Sequence, residues 1–473
     1  MTWPGTRLGR ASVRPSANSR TLVRYALAAG ALSLGLRLAW ALHAHVTPIG
    51  DFASYDAIAW RWLTTGHYGS SAYRTPGYPA FLAGIYAAFG RSWGAAGLAQ
   101  ALLGGLTSAL VVLLAAQVVS PRSALAAGLL YVFSPTAIAY VPVLASENLA
   151  APLAVGALLC MGASRRNRGT RWWALVASGF LLGLLLLVRP AGAYFVPGFL
   201  LIATCAHKGR SASVRAPVVL VCVLVLTLAP WLIRNHLIGL GATTLATAGG
   251  SDLWMGNNDL AQSGGDCPEA RDALVLTGLS ERDTDAAFRS AAVAWARAHP
   301  RRYLSLCVTR AARLLGTEAD SWAAKYLAPT RENDLAMAAV YQAYESGVSA
   351  SPELEARGLA VQKRSIVLLT GWRIVVAPLT VFALALSLAH WRRYALVAAP
   401  ALSYLLGLSL TFAKPRFREL SDPLLLIPLA ALLCDMLLGA TEFGARPSRA
   451  VKVAVGAALV VVVGVATVLA YLL

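Results

Sequence analysis

Residues 95–140 read AAGLAQALLGGLTSALVVLLAAQVVSPRSALAAGLLYVFSPTAIAY. From 95 to 119 no charged residue occurs, a run longer than the roughly 20 residues a helix needs to cross the ~30 Å hydrocarbon core of a bilayer. Ser120-Pro121-Arg122 interrupts it, and a second apolar run continues to about 140. Two such runs joined by so short a turn predict a pair of antiparallel membrane helices. The fold class follows: an α-helical polytopic membrane protein. The 473-residue chain as a whole agrees, being 57% hydrophobic and only 13% charged, a composition that excludes an ordinary soluble enzyme.

Working outward, the same pattern predicts about eleven transmembrane helices. They fall near 22–44, 95–119, 122–140, 148–163, 172–188, 190–206, 214–233, 366–389, 394–412, 420–439 and 452–473. Basic residues gather at alternate ends of these spans: Arg7, Arg10, Arg14, Arg20 and Arg24, then Arg122, then Arg165, Arg166, Arg168 and Arg171. Lys208, Arg210 and Arg215 follow, then Arg392 and Arg393, then Arg446, Arg449 and Lys452. Glu442 is the one acid among these segments. The net charge of +19 is therefore a positive-inside bias that sets orientation, with the N-terminus cytoplasmic, and it does not identify a nucleic-acid partner. The first apolar run is long and lacks a small-residue cleavage site, so a retained span is expected. Heavy use of Arg over Lys, with much Ala, is the composition of a GC-rich bacterial genome. The expected location is the bacterial plasma membrane.

Three parts result: a transmembrane module over 1–233 with its first external loop at 45–94, an extracytoplasmic insert over 234–364, and C-terminal transmembrane helices over 365–473. The first loop contains GDFASYDAIAWRWLTTGHYGSSAYRTPGYPAFLAGIYAAFG, residues 50–90. Phe52, Tyr55, Ala59 and Trp62 recur at spacings of three and four, which predicts an interfacial amphipathic helix. Tyr78 to Phe89 is apolar but too short to span, so it is expected to lie against the surface. Asp51 has two readings, an N-cap for a helix beginning at Phe52 or a reacting carboxylate. Asp56, five residues on, falls roughly 140° around the helix from Asp51 and is expected to pair with Arg61.

The insert opens with a Gly-rich segment, GLGATTLATAGGSDLWMGNND. Its SERD at 280–283 predicts a capped helix running to about His299. Pro300 then opens a basic amphipathic helix, either on the outer membrane surface or in the insert's own core. Among six cysteines no metal spacing occurs; Cys160, Cys205, Cys222 and Cys434 fall in apolar runs. Cys267 and Cys307 lie in the insert, where a disulfide between them is an open option.

Charged groups cost about 2.5–3.5 kcal/mol each at membrane depth on insertion scales, so those at the external rim ask for a reason. They are Asp51, Asp56, Arg61, Arg74, Glu147, Arg189, Arg234, Lys414, Arg416, Arg418, Glu419 and Asp422. Some are expected simply to pair with one another or with lipid headgroups. The remainder can form a phosphate pocket, because the planar guanidinium fork binds phosphate oxygens bidentately. No P-loop, dinucleotide fingerprint, HExxH or nucleophile elbow occurs. A lipid-linked donor would need no nucleotide site.

GDFASYDAIAW with RTPGYPAFLAGIYAAFG resembles the first external loop of GT-C-type integral membrane glycosyltransferases. The resemblance is to the family-39-like group, which includes protein O-mannosyltransferases and lipid A aminoarabinose transferases. ASENLA at 145–150, PWLIRN at 230–235, GGSDLWMGNND at 249–259, AHPRRYLSL at 298–306 and KPRFRELSDPLLL at 414–426 also fit, in the family's order. The resemblance implies an inverting transfer from a polyprenyl-phosphate-linked sugar to a lipid, glycan or protein acceptor outside the cell. It implies no required cofactor and leaves a divalent cation open. Asp51 matches the first-loop acid, the expected base. Arg74, Arg234, Lys414, Arg416 and Arg418 take the expected donor-phosphate role; Tyr55, Asp56, Glu147, Asn235 and Asn257 take acceptor or structural support. Phe52 stands where many members carry a second acid, and Gly77-Tyr78 interrupts the proline pair. A polytopic transporter or lipid flippase is the rival reading, and a membrane glycan polymerase or ligase a second.

Overall fold

A computed structural model describes residues 19–44, 46–166, 169–206, 210–261, 278–316 and 351–443, with residues 267, 270, 318, 334, 336 and 338–340 between them. The predicted eleventh span at 452–473, and the basic clusters at either terminus apart from Arg20 and Arg24, lie outside the described residues. The chain is nearly all helical. In order the helices are α1 Ser19–His43, α2 Asp51–Thr65, α3 Gly77–Phe89, α4 Trp93–Ala115, α5 Pro121–Val132, α6 Pro135–Ala139 and α7 Glu147–Ser164. A two-residue antiparallel pair, Arg165–Arg166 with Gly169–Thr170, leads to α8 Trp172–Val188, a 3-10 turn at Pro190–Phe195, α9 Val196–Ala206 and α10 Arg210–Leu237. The insert supplies α11 Gly249–Gly256, α12 Glu281–Ala298 and α13 Pro300–Leu315. Then come α14 Pro352–Ala389, α15 Trp391–Leu410, a 3-10 turn at Pro415–Leu420 and α16 Asp422–Leu438. Among the described residues six helices are long and apolar enough to cross a membrane: α1, α4, α7, α10, α14 and α15. The protein is thus a multi-pass membrane protein.

The opening helix pair forms with a difference. Ser120 caps α5, its Oγ accepting from Ser123 N at 3.4 Å with Pro121 in the first turn. The single span expected over 122–140 is instead broken after Val132, because Pro135 has no N–H to give the carbonyl of Tyr131. Arg37 from α1 takes up the freed carbonyls: Nη2 donates to Tyr131 O and Nη1 to Val132 O, each at 3.1 Å. Its approach needs Gly104, where a Cβ would lie 2.3 Å from Arg37 Cδ. Small residues let α1 and α4 close up elsewhere as well, as at Gly30 and Gly105.

At the other end of the bundle, Glu442 is buried and tied to three segments. It accepts from Ser120 N at 2.8 Å and Ser123 Oγ at 2.9 Å, and pairs with Arg393, whose Nε donates to Val118 O at 2.5 Å. Asp435 receives the backbone N–H groups of Glu442 and Phe443. The lone acid among the basic clusters is therefore a tie between α4–α5, α15 and the end of α16.

In the insert, Ser280 caps α12 by accepting from Asp283 N at 3.2 Å, as SERD predicted. Along α13, Leu306, Cys307, Arg310 and Leu314 face inward, while Leu304 and Val308 point outward and are exposed. Arg310 is wholly buried and donates to Ser409 O at 3.1 Å, to Asn257 Oδ1 at 2.8 Å and to Gly256 O. So α13 seats the insert on the end of α15 rather than being enclosed in a core of the insert alone, and Leu304 and Val308 lie on its exposed face. Cys267 and Cys307 are not joined in the disulfide considered above; both are buried, and Cys307 lies against Arg310.

Candidate active site

Gly50 is the N-cap of α2 at φ +54°, a conformation open to glycine, so Asp51 is the first helical residue and makes no cap hydrogen bond. The capping reading of Asp51 is therefore corrected. Its carboxylate turns instead to Arg74, whose Nη2 donates to Oδ1, and to Arg416, whose Nη2 lies 3.5 Å from Oδ2.

Arg74 is delivered by the turn before α3. Thr75 Oγ1 donates to Val188 O at 3.3 Å, and Gly77 lies so close to α8 that a Cβ there would meet the Leu187 carbonyl at 2.8 Å. This close approach is the physical use of the glycine that interrupts the proline pair. It sets Arg74 beside the end of α8, where Arg189 begins the next turn.

Arg416 continues the network. Its Nε lies 2.7 Å from Glu147 Oε1, and Arg189 Nη1 lies 3.0 Å from the same oxygen. Guanidinium and carboxylate thus alternate: Arg74, Asp51, Arg416, Glu147, Arg189. Aromatic faces flank the cations, with Arg74 4.9 Å from the Tyr73 ring centre and 5.4 Å from that of Tyr55. Arg416 lies 5.4 Å from the Phe52 ring and Arg189 4.8 Å from the Phe417 ring. Arg74 Nε and Arg189 Nε are buried and have no hydrogen-bond partner among the described residues. Such donors cost free energy unless something satisfies them.

The cluster borders a cavity of about 1330 Å³. Asp51, Tyr55, Arg74, Arg189, Lys414 and Arg416 line it on the membrane-module side, and Thr243, Thr244, Asp252, Asp285 and Arg289 of the insert complete the wall. Although 44% of the Asp51 side chain opens to this space, the carboxylate sits deep in the protein. Burial alone would raise its pKa; Arg74, Arg416 and Lys414 outweigh that and hold it down at about 2. Asp51 is therefore ionised but weakly basic while these cations face it. Asp51 and Glu147 are each engaged by guanidinium groups. Among the described residues no group of three or more His, Cys, Asp or Glu is gathered as metal ligands.

Of the residues expected from the sequence, Asp51, Tyr55, Arg74, Lys414 and Arg416 share the cavity, and Glu147 joins through Arg416. Arg189, noted at the rim but given no site role, belongs to the same cluster. The signal that could have found it is the Arg189-Pro190 turn, which starts the chain anew at the end of a span.

Other residues take different places. Arg234 does not line the cavity; its Nη1 donates to Ser71 O at 3.0 Å and its Nη2 to Gly69 O. Arg418 is buried away from the cavity. Asn235 donates to Thr244 O at 2.8 Å, and Asn257 ties α11 to Thr411 O at 2.9 Å, so both hold backbone. Asp56 is buried and accepts from Tyr86 Oη at 2.6 Å, Arg91 Nη2 at 2.5 Å and Trp93 Nε1 at 3.1 Å. Its expected partner Arg61 instead donates to Tyr68 O at 2.6 Å. The arginine after α3 reaches Asp56 because α3 folds back along α2.

Residues 73–233 match the family model for dolichyl-phosphate-mannose-protein mannosyltransferases. No curated protein matches the chain. Among solved structures, the oligosaccharyltransferase of Archaeoglobus fulgidus is similar at 14% identity and TM-score 0.49, over 95% of this chain and 55% of that one. The chain thus spans little more than half of that protein's length. ArnT from Cupriavidus metallidurans bound to undecaprenyl phosphate is similar at 15% identity and TM-score 0.42, over 89% of this chain and 79% of that one. The family match takes in Arg74, Glu147 and Arg189 of the cluster. Over residues 73–233, the similarity of this chain to the GT-C-type integral membrane glycosyltransferases is a finding of sequence.

Proposed function

We propose that the protein is an inverting glycosyltransferase that moves a sugar from a polyprenyl-phosphate donor to an extracytoplasmic acceptor. The observation that carries this reading is the placement of Asp51 between Arg74 and Arg416 on the wall of the large cavity. An acceptor hydroxyl loses its proton to Asp51 as its oxygen attacks the anomeric carbon. The bond from that carbon to the donor phosphate breaks on the opposite face, through a transition state of oxocarbenium character. The polyprenyl phosphate leaves with its new charge held by Arg74, Arg189, Lys414 and Arg416. One base and direct displacement give inversion.

The same reading takes eleven spans, a cytoplasmic N-terminus and an active site on the outer face of a bacterial plasma membrane. Gathering of the charges in one cluster supports an enzyme over a transporter, which would string them along a path to both faces. The test is transfer by the purified protein in nanodiscs, offered polyprenyl-phosphate sugars with a panel of lipid, glycan and peptide acceptors. The expected result is a product of inverted anomeric configuration and release of polyprenyl phosphate. Transport of the intact lipid with no glycosidic product would overturn the reading.

A pH dependence follows from the charges around Asp51. Its folded-state pKa is depressed, so the carboxylate stays ionised as pH falls until about 2. The acid limb of kcat/KM, which reports the free enzyme, is therefore expected to show no Asp51 titration between pH 4 and 7. A bound donor phosphate shares the arginine charges, so the Asp51 limb in kcat should lie higher. Steady-state profiles of both parameters check this; coincident acid limbs would contradict it.

A further inference from the structure

Arg74 sits at the end of a loop, residues 66–76, that has no regular structure to fix it. The loop is nonetheless held on both sides by charged groups outside the cavity. From α10, Arg234 donates to the carbonyls of Gly69 and Ser71, and its guanidinium covers the rings of Tyr68, at 5.4 Å, and Trp231, at 4.6 Å. From the insert, Glu281 Oε1 accepts from Ser71 Oγ at 3.1 Å, from Ala72 N at 3.0 Å and from Thr247 Oγ1. Thr247 N donates to Ala72 O at 3.1 Å. Tyr68 Oη in turn donates to Arg74 O at 2.7 Å, which passes the constraint along the loop. The carbonyls of Gly69, Ser71 and Ala72, the Ser71 hydroxyl and the Ala72 N–H are thus held by Arg234 of α10, Glu281 of α12 and Thr247 between them.

We propose that Glu281 and Arg234 are positioning residues, one on the insert and one on a membrane helix, that set this loop so that Arg74 meets Asp51. Neither lines the cavity. Glu281 follows the Ser280 cap, so the start of α12 both ends the loop into the helix and grips the reactive segment. The insert is then coupled to the chemistry: if α12 shifts, residues 71–72 shift, and Arg74 leaves the carboxylate. Bidentate use of Arg234 across two carbonyls is a geometry that a lysine ammonium does not reproduce. The role rests on the reading of Arg74 and Asp51 as the reacting pair, and its test is chosen to be independent of turnover.

The test is the ionisation of Asp51 itself, followed by isotope-edited infrared spectroscopy of the full chain in nanodiscs, with Asp51→Asn identifying the band. Asp51 is faced by Arg74, Arg416 and Lys414, with Glu147 behind Arg416 and Asp252 also acting on Arg74. Only the first of the three cations is carried by the loop. Glu281→Ala is expected to raise the Asp51 midpoint by about one pH unit, the lower end of the effect of a close opposite charge. Glu281→Gln, which keeps the accepting oxygen, is expected to restore most of the shift. Arg234→Ala should raise the midpoint, and Arg234→Lys should recover only part of the loss. If the alanine variant at 281 does not fold, Ser71→Ala with Thr247→Val removes two of the three donors to Glu281 and carries the same expectation. A lowered melting temperature with an unmoved Asp51 midpoint would overturn the proposal and leave Glu281 an ordinary surface tie. Shifted midpoints in the variants, beside a wild-type protein that transfers no sugar, would keep the positioning role and remove the glycosyltransfer reading.

Discussion

Asp51→Asn is expected to lower sugar transfer by at least about 100-fold, the usual worth of a general base, while leaving the fold intact. Asparagine keeps the size of the side chain and can still accept from Arg74, but it carries no charge and takes no proton. At neutral pH the variant should melt somewhat lower than wild type, by less than the pKa shift alone implies, because the Asp51 side chain is 44% exposed and solvent screens its ion pairs. The sign of its pH dependence is also fixed. A carboxylate with a depressed folded-state pKa stabilises the fold above its unfolded value near 4 and loses that contribution as pH falls towards 2. Melting temperatures of wild type and Asp51→Asn should therefore converge in acid. Turnover within a few-fold of wild type would reduce Asp51 to an anchor of α2.

Arg416→Ala is expected to cost roughly 100- to 1000-fold in turnover, the range for loss of one charge-stabilising donor in a water-poor site. Arg416 is the link of the cluster, within 3.5 Å of Asp51 and 2.7 Å of Glu147. Its removal leaves Glu147 to Arg189 alone and takes a cation from the Asp51 carboxylate. Two effects then oppose one another: Asp51 becomes a better base, and the departing phosphate loses a partner. Loss of the partner should win, since a phosphate gains charge as it leaves and a proton acceptor is already present. Donor binding should weaken together with turnover, because the phosphate is present in both ground and transition states. Arg416→Lys should rescue poorly, since one ammonium does not hold two carboxylates and a phosphate in a planar fork. Kinetics with a polyprenyl-phosphate sugar, beside direct binding of polyprenyl phosphate, check both statements. Full turnover in Arg416→Ala would place the phosphate elsewhere in the cavity.

Several expectations that failed depended on which neighbour a charged side chain would meet. Asp56 and Arg61 are five residues apart, yet α3 folding back along α2 gives Asp56 to Arg91, and the loop after α2 takes Arg61. Arg234 and Arg418 were expected to serve beside Arg74 and Arg416, but one is spent on loop carbonyls and the other is buried away from the cavity. A lone arginine in an apolar run, such as Arg37, carries no local signal; only the break at Pro135, far along the chain, explains it. Arg189 was visible at the rim, but nothing near it in sequence announces Glu147.

By itself, the sequence determined what depends on short range. Apolar runs without charge must be helices in a bilayer, because every backbone N–H and C=O there needs an internal partner. Ser120-Pro121 and SERD start helices because cap geometry is local, and both caps form. The GDFASYD and RTPGYP segments pointed to Asp51 and Arg74 through residue type and order. Tertiary structure alone decided the partners and the cavity. Ion pairs form between side chains brought together by packing, with no dependence on separation along the chain: Arg74 and Asp51 are 23 residues apart, and Arg416 meets Glu147 from the far end of the molecule. Whether an arginine awaits a phosphate or fastens a loop is settled by what the fold places within about 3 Å of its nitrogens.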